Sequence, residues 1–300
     1  MTDRIAVVDI GTNSTRLLIA DIAPDRSITE VDRASVVTRF GEGVDATGRL
    51  ADTAIERVYA TLSAYRERID AAGAPPAIGV LTSATRDAAN GAAFVATVRD
   101  RFGIAARAIP GEEEARLTYL GATSERSDAE PTVVIDIGGG STEFVIGVTG
   151  AMDFHTSTQV GVVRHTERHL HADPPTAEQL EALRADAAST FRQALPSDHP
   201  AEHAIAVAGT ATQAASMLGT DHLDVAALQG LLHHLASVPL AQRRETPGLD
   251  PARAPTIVAG VAVLIEALAA VGLSSAEASD HDILRGAALA NDLFLGPPTT

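Results

Sequence analysis

Two segments of the chain repeat nearly the same pattern of apolar and polar positions. Residues 8–20 and residues 135–147 each consist of an apolar run that ends at an aspartate, a turn of small polar residues, and a second apolar run. Short apolar runs separated by Gly, Ser, Thr and Asn are typical of paired strands, so both segments predict a β-hairpin with a small-residue tip. Because the two segments match without a gap, they also predict an internal duplication.

Further periodic segments lie between and after these hairpins. The pattern predicts helices over 52–72, 92–102, 112–120, 162–171, 176–195, 256–273 and 282–295, and strands over 77–81, 104–109, 204–208 and 276–279. Strands that alternate with helices in both halves predict an α/β fold. The polar stretch 123–131 predicts a boundary between two domains, 1–124 and 125–300, with the last helix packed back on the first domain.

The composition excludes several classes of chemistry. Of the 300 residues, 39 are acidic and 23 are basic, for a net charge of -16, and every basic residue is arginine. The absence of cysteine and lysine excludes disulfides, thiol nucleophiles, cysteine–zinc sites, a P-loop lysine and a Schiff base. Because binding to a phosphate backbone needs a dense basic surface, no nucleic-acid partner is expected.

The sequence also predicts a soluble, cytoplasmic protein. Its first residues lack a basic stretch followed by an apolar run and a cleavage site, so a secretory signal is not expected. The apolar run 256–273 is short for a membrane span and contains Glu266. Pro255 and Thr256 in front of it are typical of an ordinary helix start. We therefore expect no membrane partner.

The tips of the two hairpins carry groups that suit phosphate. Glycine lets backbone N–H groups crowd around an anion, and serine or threonine hydroxyls add uncharged donors. Asp9 and Asp136, which precede the tips, cannot bind phosphate directly but can hold a divalent cation that does. One copy alone is equally consistent with an ordinary tight turn. Two copies, each with an aspartate before the turn, predict a phosphate-binding site built from two domains.

An arginine and a glycine turn add candidate phosphate ligands. Residues 82–87 follow a strand, are rich in hydroxyls and include Arg86, whose guanidinium offers phosphate several donors in a fork. The alternative for this segment is a helix cap with a surface ion pair. Residues 208–212 predict a glycine turn after a buried strand, where Gly209 and Thr210 could donate backbone N–H groups to a second phosphate.

Three successive glutamates offer a general base. Glu112, Glu113 and Glu114 open a predicted helix, where carboxylates also suit the helix dipole. A carboxylate aimed at the phosphate site would activate water. Successive helical residues point about 100° apart, so at most one or two can face a single cleft. The residues themselves do not choose among the three.

Histidines offer a rival site. His165 and His169 are one helical turn apart, with His171 close by and His233 and His234 further along the chain. Zinc binding at such a pair needs a further ligand such as the glutamate of H-E-x-x-H, which is missing. We therefore expect solvent-facing helix histidines rather than zinc ligands. The adjacent pair at 281–282 is likewise insufficient for a metal phosphohydrolase site.

Taken in order, the hairpins and four motifs resemble the exopolyphosphatase/guanosine pentaphosphate phosphohydrolase family. The motifs are TSATRDAAN at 82–90, GEEEARLTYLG at 111–121, DIGGGSTE at 136–143 and AGTAT at 208–212. The likeness runs from Asp9 to about Asn291. Since that family belongs to the actin-like ATPase superfamily, the resemblance implies a duplicated, ribonuclease H-like α/β fold with two domains flanking a cleft.

The resemblance also implies roles for individual residues. Glu114 corresponds to the base that activates water, and Arg86 to an arginine that binds phosphate. Asp136 and Glu143 correspond to the metal-side and catalytic carboxylates, with Mg²⁺ as the cofactor and Mn²⁺ as an alternative, and Asp9 is the matching metal-side carboxylate of the first hairpin. The residues that would line the phosphate path are Asn13, Ser14, Gly139, Gly140, Ser141 and Thr142.

The implied activity is the release of terminal orthophosphate from inorganic polyphosphate by metal-assisted, in-line attack of water. The nearest alternative substrate is guanosine pentaphosphate. An actin-like small-molecule kinase, or a non-catalytic polyphosphate or nucleotide sensor, is the alternative from another class.

The sequence departs from the family pattern in two places, and the resemblance implies one further partner. Many members continue into a further helical domain that binds long chains, so an end at Thr300 implies shorter polyphosphates. Relatives usually carry an acidic residue where Pro255 stands, which leaves the role of the loop 253–257 open. A homodimer is among the implied partners.

Overall fold

The computed structural model describes residues 2–73, 77–126, 130–148, 151–196, 198 and 201–295. The chain divides into two compact units, one formed by Met1–Gly121 with His281–Thr300 and the other by Ala122–Asp280. The polar stretch 123–131, expected to mark a boundary, includes residues 127–129, which lie outside the described residues.

Strands and helices alternate along both units, as an α/β fold requires. Among the described residues the strands are β1 (Asp3–Ile10), β2 (Ser14–Ile22), β3 (Ile28–Val37), β4 (Ile78–Leu81), β5 (Ala105–Ala108), β6 (Thr132–Ile137), β7 (Thr142–Val148), β8 (Ala151–Thr158), β9 (His203–Val207), β10 (His222–Asp224) and β11 (Ser275–Ala278). The helices are α1 (Val44–Thr47), α2 (Asp52–Ala71), α3 (Ser83–Asp87), α4 (Gly91–Phe102), α5 (Gly111–Ala122), α6 (Val162–His169), α7 (Ala177–Ala194), α8 (Ala208–Leu218), α9 (Val225–Ser237), α10 (Leu240–Arg243), α11 (Ile257–Ala270), α12 (Ile283–Leu289) and α13 (Asp292–Leu295).

The first predicted hairpin forms β1 and β2 of the first unit. The two strands pair antiparallel with Asp9 opposite Arg16, and a hydrogen bond of 3.0 Å from Gly11 N to Ser14 O closes the tip. β3 extends the sheet beside β2, while β4 and β5 pair in parallel on the other side of β1. The resulting strand order is β3-β2-β1-β4-β5.

The second unit repeats this arrangement. β6 and β7 pair antiparallel with Asp136 opposite Glu143, and a hydrogen bond of 2.9 Å from Gly138 N to Ser141 O closes the tip. The strand order is β10-β11-β9-β6-β7-β8. The five strands β8, β7, β6, β9 and β11 correspond in order to β3, β2, β1, β4 and β5 of the first sheet. In both sheets the first three of these strands pair antiparallel and the next two are added in parallel. The predicted duplication is confirmed at the level of sheet topology.

Both faces of β1 are buried. Ala6, Val8 and Ile10 join a core with α2 and α4, whereas Ile5 and Val7 join a second core with α12. Successive side chains of a strand point to opposite faces, so a strand covered on both sides has a continuous apolar sequence. The predicted site residues begin where this strand ends.

The apolar run 256–273 forms α11, which lies in the hydrophobic core of the second unit. Glu266, the one acidic residue of this helix, accepts a hydrogen bond of 2.6 Å from Arg184 on α7. Across the part of the chain that the structure describes, none of the helices combines the length and the apolarity that a membrane span requires.

Several predictions of local structure were wrong. The third strand of each sheet, β3 or β8, was not predicted, because both have many half-exposed polar positions. The segment 208–212 is not a turn: β9 leads directly into α8, and Ala208 adopts a φ of 66°. The predicted helix over 282–295 consists of two shorter helices, α12 and α13. The helix α9 lies where no element was predicted.

Candidate active site

An ion cluster surrounds the aspartate of the first hairpin. Arg16 donates to Asp9 Oδ2 from Nε at 2.8 Å and from Nη2 at 2.6 Å, and its Nη1 pairs with Asp282 at the start of α12. Asp9 is buried, and this burial raises its pKa, while the charge and hydrogen bond of Arg16 oppose the rise. The cation that balances Asp9 in this structure is therefore Arg16. A metal-binding role for Asp9 remains a prediction.

The tip of the first hairpin is attached to the start of α3. Thr12 Oγ1 lies 2.8 Å from Ser83 Oγ and accepts a hydrogen bond of 3.2 Å from Ala84 N. The strand before α3, β4, runs parallel to β1, and both strands end at the same edge of the sheet. Asn13 and Ser14 are buried at this tip. The tip and the predicted phosphate segment 82–87 therefore lie side by side.

Two buried hydroxyls in this region are available for a ligand. Among the described residues, neither Ser14 Oγ nor Thr85 Oγ1 has a hydrogen-bond partner. Buried polar groups in folded proteins are nearly always paired, so such orphans point to a bound group or water. A hydroxyl donates to a phosphate oxygen without adding charge. Both side chains therefore suit the phosphate role that was predicted for this edge of the sheet.

Arg86 and Glu114, assigned separate roles from the sequence, contact each other. Arg86 Nη1 donates to Glu114 Oε2 at 2.6 Å and to Ile109 O at 2.9 Å. The pair joins α3 to α5, and the Glu114 side chain is 9% exposed. A charge-assisted hydrogen bond of this length fixes the orientation of the carboxylate. The arrangement suits a general base held beside a phosphate-binding arginine.

The structure distinguishes the three successive glutamates. Glu112 is exposed on the first turn of α5. Glu113 is half-buried and accepts a hydrogen bond of 2.9 Å from Arg107 Nη1 on β5. Only Glu114 of the three is buried. Burial and the contact with Arg86 therefore distinguish Glu114 from its two neighbours, and its role as the base remains a prediction.

The second hairpin places two carboxylates opposite each other. Asp136 and Glu143 are register partners on β6 and β7, and both are buried. Side chains of directly opposite residues lie on the same face of a sheet, where like charges are destabilising. A divalent cation would relieve that repulsion, and a donor set made only of oxygen suits Mg²⁺ or Mn²⁺. These two residues therefore fit the predicted metal.

Ser157 is a site residue that the sequence did not reveal. It lies opposite Glu143 in the β7–β8 register and donates to Glu143 Oε1 at 2.7 Å. The bond fixes the orientation of the carboxylate from the neighbouring strand. Because β8 itself was not predicted, no local signal could have assigned Ser157 to the site.

The glycine tip of the second hairpin rests on the start of α6. Gly139 O accepts a hydrogen bond of 2.8 Å from Val163 N, and Gly140 O accepts one of 2.8 Å from Arg164 Nε. A Cβ at Gly161 would lie 2.4 Å from Gly140 C and 2.5 Å from Gly139 O. Only glycine at 161 allows this close approach. The conformation of the predicted phosphate loop is therefore held by α6.

The remaining tip residues, Ser141 and Thr142, are fully buried. Thr142 Oγ1 donates to Val160 O at 2.7 Å, and Thr158 Oγ1 donates to Thr142 O at 3.0 Å. These bonds tie the start of β7 to the end of β8 and to the segment before α6. The hydroxyl of Thr142 thus contributes to the fold of the hairpin, and its part in phosphate binding remains a prediction.

Gly209 and Thr210 lie in the first turn of α8, not in a loop. β9 pairs in parallel with β6, so α8 begins beside the tip of the second hairpin. A Cβ at Gly209 would lie 1.9 Å from Arg253 Nη1, and glycine is therefore what admits the guanidinium. Arg253 comes from the loop 253–257. It is a second arginine beside residues predicted to bind phosphate, and sequence reasoning did not assign it a role.

The histidines of α6 differ from expectation. His165 is 1% exposed, so the prediction of a solvent-facing residue was wrong for it. Burial lowers the pKa of His165 to about 4, despite the opposing effect of Asp186. His169 Nε2 lies 3.0 Å from Asp186 Oδ2 on α7. A third potential ligand is therefore present, although it does not belong to the sequence motif in which it was sought.

The chain is similar to known proteins over most of its length. The model of the Ppx/GppA phosphatase family matches residues 18–288. Exopolyphosphatase 2 of Mycobacterium tuberculosis is 37% identical over 319 residues, which cover 95% of this chain and 98% of that protein.

Two solved structures share the fold over nearly the whole chain. An exopolyphosphatase-like protein is 34% identical with a TM-score of 0.87, covering 97% of this chain and 98% of its own. A Ppx/GppA family member of Aquifex aeolicus is 26% identical with a TM-score of 0.80, and the match covers 99% of this chain and 100% of that chain. The predicted fold class and the resemblance are confirmed. The chain belongs to the Ppx/GppA phosphatase family, and it is accordingly a hydrolase that acts on phosphoanhydride bonds.

Proposed function

We propose that this chain is an exopolyphosphatase that removes the terminal phosphate of inorganic polyphosphate with the help of Mg²⁺. The observation that carries the proposal is the environment of Glu114, a buried carboxylate oriented by Arg86 at 2.6 Å. A small-molecule kinase transfers phosphate to an acceptor and has no need of a base for water. The name of the M. tuberculosis relative supports the same substrate class.

The residues of the first unit supply the base and donors for phosphate oxygens. Glu114 accepts the proton of the attacking water, whose oxygen forms a bond to the terminal phosphorus as the bridging P–O bond breaks. The shortened chain leaves as an anion that is already a weak base, so little acid catalysis is needed. Arg86 and the Ser14 hydroxyl donate to phosphate oxygens, and they stabilise the charge that develops there.

The residues of the second unit suit a divalent cation. Asp136 and Glu143 would hold it, with Ser157 fixing the orientation of Glu143. When bound, Mg²⁺ neutralises charge on phosphate oxygens and polarises the phosphorus for attack. The glycines of this tip, Gly139 and Gly140, leave room for backbone N–H groups to approach an anion.

Phosphate release from defined substrates tests the proposal. Orthophosphate is measured with polyphosphates of short and long defined length and with guanosine pentaphosphate, with and without Mg²⁺. We expect Mg²⁺-dependent release from polyphosphate, with Mn²⁺ as a substitute. In Glu114→Gln we expect a loss of kcat on the order of 10³-fold, the usual range for removal of a general base.

The matched control for that variant is Glu113→Gln. Glu113 lies on the same helical turn and pairs with an arginine, but it is only half-buried, and we expect wild-type kcat. Equal activity of wild type and Glu114→Gln would contradict the site assignment. A higher kcat/KM for guanosine pentaphosphate than for polyphosphate would identify guanosine pentaphosphate as the preferred substrate. ATP-dependent transfer to an acceptor, without phosphate release from either substrate, would favour a kinase.

A further inference from the structure

A second group of metal-ligating side chains lies apart from the residues discussed above. His165 and His169 project from one side of α6, and Asp186 comes from the neighbouring helix α7. One ligand atom from each of the three residues lies within 4.8 Å of the others. In the part of the chain that the structure describes, no other group of three such side chains meets this condition. The three residues belong to a single unit of the chain.

The distances suit a small cation. Asp186 Oδ2 lies 3.0 Å from His169 Nε2 and 3.5 Å from His165 Nε2. Ligand atoms in a tetrahedral zinc site are about 3.3 Å apart, given metal–ligand bonds of about 2.0–2.1 Å. The carboxylate oxygen is therefore separated from each ring nitrogen by about the distance expected between two ligands of one zinc ion. A small side-chain movement would complete the geometry.

His165 supplies an independent sign of a ligand at this position. Its ring is 1% exposed, and among the described residues its Nε2 has no hydrogen-bond partner. A buried ring nitrogen costs free energy when it has neither water nor a protein partner. The nitrogen faces Asp186 at a distance too long for a good hydrogen bond but suited to two ligands of one ion.

We propose that His165, His169 and Asp186 form a binding site for a divalent transition-metal ion of the Zn²⁺ class, with water as the fourth ligand. Two imidazole nitrogens and one carboxylate oxygen are a donor set that suits zinc, whereas Mg²⁺ prefers oxygen ligands. The site is thus chemically distinct from the oxygen-only pair at Asp136 and Glu143. It does not depend on the proposed phosphatase mechanism.

Metal binding exchanges one contact of His165 for another. At present its Nδ1 accepts a hydrogen bond of 3.4 Å from Gly161 N, which places the ring proton on Nε2. Coordination through Nε2 moves that proton to Nδ1 and ends the contact. Metal binding therefore has a cost: the contact of 3.4 Å, near the long limit for a hydrogen bond, is lost, and two N–H donors then face each other.

Zinc binding to the full-length protein tests the proposal. The protein is treated with a chelator, transferred to Mg²⁺-free buffer and titrated with Zn²⁺ alone in a calorimeter. We expect one ion per chain, and a weakening of at least about tenfold in both Asp186→Asn and His169→Gln. The control is His171→Gln, because His171 is exposed just beyond the same helix, and we expect wild-type affinity.

Two further measurements separate this site from scattered surface histidines. Zn²⁺ should raise the melting temperature of the wild type but not that of Asp186→Asn, because binding to the folded state alone stabilises it. Co²⁺ as a probe should give the visible absorption of a four-coordinate ion only when Asp186 is present. Wild-type affinity in both ligand variants, or no binding by the wild type, would overturn the proposal. Circular dichroism establishes that the variants are folded.

Discussion

Arg86 donates from Nη1 to Glu114 Oε2 at 2.6 Å, which joins two residues separated by 28 positions in the chain. The arginine side chain is 21% exposed and the glutamate side chain 9%. One guanidinium can therefore orient the carboxylate and still present its accessible edge to an anion. The pair brings the arginine that follows β4 into contact with the first turn of α5.

The first prediction concerns this pair. Arg86→Lys keeps the charge but loses the guanidinium, whose Nη1 donates to both Glu114 Oε2 and Ile109 O and whose other N–H groups remain for an anion. We expect kcat/KM for polyphosphate to fall on the order of 10²-fold, since lysine does not replace a multidentate arginine. Steady-state kinetics of phosphate release measure the change.

The control for Arg86→Lys is Arg107→Lys, which weakens the corresponding pair with Glu113. It should leave kcat/KM close to that of the wild type. If both lysine variants lose activity equally, the Arg86–Glu114 pair has no special role in the reaction and contributes only to folding.

The second prediction concerns Ser157 as a positioning residue for Glu143. Ser157→Ala removes the 2.7 Å hydrogen bond to Glu143 Oε1. We expect the Mg²⁺ concentration for half-maximal activity to rise by about tenfold or more, because partners of a metal ligand commonly affect affinity by that factor. Ser157→Thr keeps the hydroxyl and should restore most of the metal dependence. An unchanged Mg²⁺ requirement in Ser157→Ala would argue against this role.

The third prediction concerns the close contact between Gly161 and the glycine tip. In Gly161→Ala the new Cβ would lie within 2.6 Å of backbone atoms of Gly139 and Gly140, which cannot move independently of the hairpin. We expect the free energy of unfolding to fall by about 1–3 kcal/mol, as in other overpacked sites. Denaturant unfolding followed by circular dichroism measures it.

A glycine-to-alanine control exists in the same unit. Gly230 lies inside α9, and a Cβ there would meet nothing within 4 Å. Gly230→Ala should raise the free energy of unfolding by roughly 0.5–1 kcal/mol because alanine favours a helix interior. A stability for Gly161→Ala equal to the wild type would show that the tip is not fixed by this contact.

The fourth prediction concerns pH. Burial holds the pKa of His165 at about 4, below the ordinary value of 6.5. In that interval the unfolded chain binds a proton that the folded chain does not. The contribution of neutral His165 to the free energy of unfolding is therefore fully present above pH 6.5. It falls as the pH drops towards 4, by up to roughly 3 kcal/mol from this one group.

Denaturant unfolding between pH 4 and pH 7 in a chelator measures this dependence. His165→Phe removes the titrating group and should flatten the pH dependence in that range relative to the wild type. His171→Gln, at an exposed position, should leave it unchanged. A wild-type pH dependence in His165→Phe would assign the effect to other residues.

The amino-acid sequence by itself determined the two hairpins and the duplication. The apolar runs around Asp9 and Asp136 have strand periodicity and small-residue tips, and both depend only on neighbours in the chain. The motifs around Arg86, Glu114 and Glu143 were sufficient to identify the family. Local pattern was also sufficient for α2, whose predicted and observed limits differ by one residue.

Local pattern failed where structure depends on distant contacts. β3 and β8 are strands because they pair with β2 and β7, and their polar, half-exposed sequences carry little signal of their own. The segment at Gly209 has the composition of a turn, yet β9 leads directly into α8 there, with Ala208 at a φ of 66° and Gly209 against the guanidinium of Arg253. Neither fact can be read from the five residues 208–212.

The tertiary structure alone decided which side chains act together. Three successive glutamates are equivalent in sequence, and only burial and Arg86 distinguish Glu114. The two histidines of α6 gain Asp186 only because α6 and α7 pack side by side. Periodicity is a local property, whereas the partner of a side chain is set by strand register and helix packing between segments far apart in the chain.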